Sequence, residues 1–76
     1  MNAQTFARRI DAILEMIEND GEYDVTSPVN GRVICMWHIR AHYFVCYADD
    51  IKGRMGWAFR GNAYDVRNEC MRLAGY

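Results

Sequence analysis

Long hydrophobic runs are missing from this sequence. No stretch approaches the ~20 consecutive apolar residues that a membrane-crossing helix needs, and the first helix-like segment carries Arg8, Arg9 and Asp11 where a signal peptide would have its apolar core. Proline is nearly absent, with Pro28 alone in 76 residues, and no repeat, linker or low-complexity tract interrupts the chain. A single domain spanning residues 1–76 is therefore expected. Cysteine is scarce and odd in number: Cys35, Cys46 and Cys70 show no paired spacing, which argues against a disulfide framework and for a reducing, cytoplasmic compartment. A net charge of −1 gives no global attraction towards nucleic acid or a membrane surface.

What is there is globular in composition, 51% hydrophobic and 25% charged. A chain this short buries only about 60% of the surface its unfolded form exposes, so its core is thin and a partner surface would add to it. The charge is unevenly spread. Residues 1–24 hold two arginines against six carboxylates, a balance of −4, whereas residues 25–76 carry +3.

The stretch from Arg32 to Ala48, RVICMWHIRAHYFVCYA, concentrates β-branched and aromatic residues and organises the rest. Split at a bend over Ile39–His42, which no Gly or Pro marks, it predicts two paired strands in which His38 opposes Tyr43, Met36 opposes Val45 and Ile34 opposes Tyr47. The alternative is one long bent strand. Both faces of that pair are apolar. The expectation is that Val33, Cys35, Trp37, Phe44 and Cys46 lie under the helices, and that Ile34, Met36, His38, Tyr43, Val45 and Tyr47 face outward. A slip of one residue at the bend would exchange one strand's two sets.

Before it, apolar residues at Phe6, Ile10, Ile13, Leu14 and Ile17 place one stripe on a helix from Asn2 to Asp20. Asn2 or Thr5 suits its N-cap, and Gly21 suits the left-handed residue that ends it. Met16 lies off the stripe as a flank contact. Glu22 to Pro28 predicts an edge strand, since proline cannot donate to a ladder, and Asn30-Gly31 a tight hairpin turn. After a polar turn at residues 49–53 comes a last strand at 54–60. A second helix follows over 62–74, capped by Asn62, with Asp65 in its first turn and Ala63, Val66, Cys70 and Leu73 as its stripe. The fold class is α+β: a two-layer sandwich of an antiparallel sheet of three or four strands, with both helices on one sheet face.

Chemistry-bearing patterns are few. Cys35, His38, His42 and Cys46 are all residue types that zinc accepts, but strand alternation puts Cys35 and His38 on opposite faces, so no metal and no cofactor is expected. Every cysteine sits inside an apolar pattern, where a thiol packs rather than reacts, and no catalytic constellation emerges. The carboxylates from Glu15 to Asp24 lack the alternation of a calcium loop and read as a solvated helix end or an acidic docking patch. A single-strand nucleic-acid platform would draw on Trp57, Phe59, Tyr43 or Tyr47 with Arg40, Arg54 and Arg60. The competing reading makes Trp57 and Phe59 core.

The order helix, strands, helix is similar to that of a double-stranded-RNA-binding domain. In that family the second helix opens with clustered lysines, whereas here Gly61-Asn62-Ala63-Tyr64-Asp65-Val66-Arg67 offers an acid and no lysine. Five Tyr, two Trp, five Met and eight Arg are the residue types enriched where proteins meet proteins. Small size, compactness and the lack of a catalytic motif resemble, in style and without a shared residue motif, the small inhibitors that phages carry against host defences, anti-CRISPR proteins among them. What this implies is a non-enzymatic inhibitor or adaptor that occupies a surface of a larger complex and self-associates as a homodimer. The expected contact residues are Met36, His38, Arg40, Tyr43 and Tyr47 on the sheet, with Glu18, Asp20 and Glu22 as an acidic flank. The alternative is a nucleic-acid-binding domain using sheet aromatics and arginines.

Overall fold

The computed structural model describes residues 1–48 and 55–76, without the side chains of 55–58. Helix α1 (Ala3–Met16) begins where the Asn2 side chain accepts a hydrogen bond from the Thr5 N–H at 2.8 Å, so Asn2 rather than Thr5 is the cap. Strands β1 (Glu22–Thr26), β2 (Val33–Ile39), β3 (His42–Ala48) and β4 (Met55–Gly61) follow, then helix α2 (Ala63–Leu73). Asn62 caps α2 through the Asp65 N–H, also at 2.8 Å. The strands form one antiparallel sheet in the order β1-β2-β3-β4. Each turn or loop therefore joins neighbours. The polar turn expected at 49–53, and Arg54 with it, lies outside the described residues.

The β2–β3 register is the expected one: Ile34 opposes Tyr47, Met36 opposes Val45, and His38 opposes Tyr43. Its faces are reversed. Ile34, Met36 and Val45 are at most 1% exposed and pack with Phe6, Ile10, Ile13 and Leu14 of α1 and Val66, Cys70 and Leu73 of α2. Tyr43, Tyr47 and Phe59 line the edges of that core. Cys35, Trp37 and Phe44 lie on the opposite face, which no described element covers. The physical reason stands in the neighbouring strands. The row through Met36 reads Tyr23, Met36, Val45, Phe59, and the next reads Val25, Ile34, Tyr47, without a charge. The rows on the other side read Glu22, Trp37, Phe44, Arg60 and Asp24, Cys35, Cys46, Ala58. Burying that side whole would desolvate three charges. Glu22, Asp24 and Arg60 stay exposed on it, Cys35, Trp37 and Phe44 are half-buried, and Cys46 is 1% exposed beneath its neighbours.

The loops depart from expectation as well. The Asn30-Gly31 pair does not make a two-residue turn. Ser27 N–H donates to Arg32 O at 2.8 Å and closes a longer loop, in which Gly31 takes the positive φ of 75° and Pro28 avoids the ladder. At the end of α1 the left-handed residue is Asp20 (φ 61°), not Gly21. Gly21 is needed for space, because a Cβ there would lie 3.1 Å from the Ile17 Cα. Met16 is exposed rather than a flank contact, and Ala63 lies in the exposed first turn of α2. Between Cys46 and Ala48 the β3–β4 ladder accommodates one extra residue in β4, a bulge.

Candidate functional site

The eight residues expected to touch a partner divide into three groups. Met36 is 1% exposed and sits in the core, where it has no access to another molecule. Tyr47 is half-buried under the helices, with the Arg32 guanidinium 4.2 Å above its ring. Arg32 also donates to Leu73 O at 3.2 Å, so this pair fastens the sheet to the end of α2. These placements correct the outward orientation expected for both.

Glu18, Asp20, His38, Arg40 and Tyr43 come together at the tip of the β2–β3 hairpin, against the end of α1. Arg40 carries a positive φ of 59°. That conformation lets a two-residue turn link paired Ile39 and His42, and the Arg40 N–H donates to Asp20 Oδ1 at 3.1 Å. Asp20 N–H donates to His38 Nδ1 at 3.3 Å, with Asp20 Oδ1 also 3.3 Å from that nitrogen. His38 is 9% exposed and its ring lies 4.7 Å from that of Tyr43. Burial, with the Glu18 carboxylate nearby, pushes the Tyr43 phenol up. This cluster is a structural junction between hairpin and helix. Its backbone-to-side-chain hydrogen bonds tie the hairpin to the end of α1, while the side chains of Glu18, Asp20 and Arg40 remain exposed around a nearly buried His38.

The third position, Glu22, belongs to the open face. In register across the four strands lie Glu22, Trp37, Phe44 and Arg60. Trp37 and Phe44 are half-buried and stack nearly parallel, with ring centroids 5.4 Å apart and 8° between planes, while Glu22 and Arg60 are exposed at either end. An aromatic pair of this kind presents a large, rigid apolar surface at small entropic cost. Strand parity alone predicts both aromatics in the core, under the helices. The signal that places them outside is the charge at both ends of their row.

Beside the aromatics, Cys35 and Cys46 face each other across β2 and β3. Burial pushes the Cys35 thiol up to about 12, with Cys46 and the Asp24 carboxylate adding to it, and burial raises Cys46 too. Both are protonated at neutral pH, unsuited to nucleophilic attack. His38 lies on the other face, so the four-residue metal spacing does not converge. Among the described residues no cluster of three or more His, Cys, Asp or Glu could hold a metal ion, and no pocket is present. No described helix is long and apolar enough to cross a membrane.

The single-strand platform does not assemble in the form expected. Tyr43, Tyr47 and Phe59 pack on the helix-covered side, and Arg54 and the side chain of Trp57 are not among the described parts of the structure. Comparison with protein-family models, curated proteins and solved structures finds no match.

Proposed function

We propose that this chain is a small non-enzymatic protein-binding domain, an inhibitor or adaptor that lays the open face of its sheet on a protein surface. The observation that carries the reading is the stacked Trp37–Phe44 pair, flanked by Glu22 and Arg60, on a face that no described element covers. An aromatic centre with a polar rim is the anatomy of a protein interface. Carboxylates at Glu22 and Asp24 on the same face disfavour phosphate and count against a nucleic-acid ligand. Three free thiols, two of them facing each other across β2 and β3 and yet unbonded, fit a reducing cytoplasm. Size and the lack of a catalytic constellation favour a phage-encoded inhibitor of the anti-CRISPR kind, a reading that the neighbouring genes would test.

The experiment is capture from the native host with tagged wild type, Trp37→Ala/Phe44→Ala, and Arg8→Ala on the exposed face of α1 as control. A partner held by wild type and control but lost from the double variant, with circular dichroism showing all three folded, is the expected result. Capture that survives the double variant would reject the open face. A parallel titration of labelled single-stranded DNA at two salt concentrations covers the alternative: binding that weakens with salt would favour the nucleic-acid reading.

A further inference from the structure

We infer that the open face is occupied by a second copy of this chain, seated face to face about a two-fold axis running parallel to the strands. The inference rests on the reading of that face as a protein-docking surface, and it follows from the order of the row Glu22, Trp37, Phe44, Arg60. A two-fold axis along the strand direction inverts the order of strands in the second sheet. β1 then lies over β4 of the other copy, and the row meets its own reverse: Glu22 over Arg60, Trp37 over Phe44, Phe44 over Trp37, Arg60 over Glu22. Acid meets base at both ends and aromatic meets aromatic at the centre. Asp24, exposed on the same edge, adds a second negative charge on the β1 side.

The other two-fold that brings the faces together runs across the strands. It would place β1 over β1, with Glu22 facing Glu22 and Arg60 facing Arg60, so like charges disfavour it.

The dimensions allow the first arrangement. Three inter-strand spacings make the row about 14 Å wide, and packed sheets cross at about 30°. Each end is then offset by only about 4 Å, which arginine and glutamate side chains span. The apolar centre supplies the affinity that a domain with a thin core lacks, and the rim charges select the orientation.

The test uses the whole chain in sedimentation equilibrium across a concentration series into the high micromolar range, with circular dichroism to confirm that each variant is folded. Wild type is expected to dimerise. Glu22→Arg alone and Arg60→Glu alone each set like charges against each other at both ends, and each is expected to weaken the homodimer by about tenfold or more. Mixed together, the two variants restore opposite charges at both ends, so the mixture is expected to associate at near wild-type strength. The double variant Glu22→Arg/Arg60→Glu should likewise dimerise. Wild type that remains monomeric throughout would overturn the inference, as would a mixture no stronger than its components. Preferential pairing of Glu22→Arg with wild type would overturn it in favour of the crossed axis. If wild type is monomeric but host capture is still lost in Trp37→Ala/Phe44→Ala, the docking face stands and the second copy falls. If capture survives that variant, the docking face falls with it.

Discussion

At the residue scale, Arg40 shows how a turn can be built without turn residues. A side chain at φ 59° costs roughly 1–2 kcal/mol relative to ordinary backbone, and the Asp20 carboxylate, accepting the Arg40 N–H at 3.1 Å, offsets part of it. Arg40→Gly removes the strain but loosens the unfolded chain. A net gain of about 0.5–1 kcal/mol is expected, measured as a higher urea midpoint. Asp20→Ala removes the acceptor and is expected to lose about 1 kcal/mol. The position of the bend was legible only because the alternation on either side of it had to close. The identity of Asp20 as its support was not, because the pairing spans 20 positions and depends on where α1 ends. Gly21 looked like the left-handed residue, being glycine, yet it was used for its missing Cβ. Composition does not separate those two uses.

At the scale of elements, the β1–β2 loop and the end of α2 form one unit. Ser27 is 2% exposed. Its hydroxyl donates to Ala74 O at 2.6 Å and accepts from the Val29 N–H at 3.1 Å, while Asn30 Nδ2 donates to Leu73 O at 2.9 Å. Carbonyls left open at a helix end are thus satisfied by a loop more than 40 residues away. Ser27→Ala is expected to destabilise by about 1–3 kcal/mol, and Asn30→Ala by about 1 kcal/mol, both read from urea unfolding.

Within α2, burial pushes the Cys70 thiol up to about 12 from an ordinary 9. The folded chain keeps this proton while the unfolded chain loses it, so the stability tied to it is complete below pH 9 and falls as pH rises from 9 towards 12. Cys70→Ala should therefore lower stability at pH 7 through lost packing, yet flatten the alkaline limb relative to wild type in a series of urea melts. The α1 stripe, the α2 stripe apart from Ala63, and the Asn62 cap were legible, since a period of 3.6 and a free N–H are local properties, whereas the first cap was legible only as Asn2 or Thr5. The loop-to-helix bonds are tertiary and left no mark on the sequence beyond polar residues in a turn.

At the scale of the whole molecule, strand parity separates two sets of residues without saying which set points inward. Ile34, Met36 and Val45 form one set and Trp37, Phe44 and the two strand cysteines the other, and hydropathy along β2 and β3 does not rank them. The deciding residues are Glu22, Asp24 and Arg60 on the flanking strands, and they speak only once β1 and β4 are in register. A pair of substitutions one residue apart on β2 checks the result. Met36 is 1% exposed against both helices, so Met36→Ala opens a cavity worth about 2–5 kcal/mol. A 76-residue domain has only roughly 4–11 kcal/mol to lose, and the variant is expected to be close to unfolding. Trp37 is larger but only half-buried, on the side away from the helices. Trp37→Ala forfeits its stacking on Phe44, worth about 0.5–1.5 kcal/mol beyond area, and part of its burial, without leaving a closed void. In dilute urea melts, where association contributes least, Trp37→Ala should therefore unfold at a higher midpoint than Met36→Ala. The reverse order would put the helices on the tryptophan side and remove the surface on which the docking proposal stands.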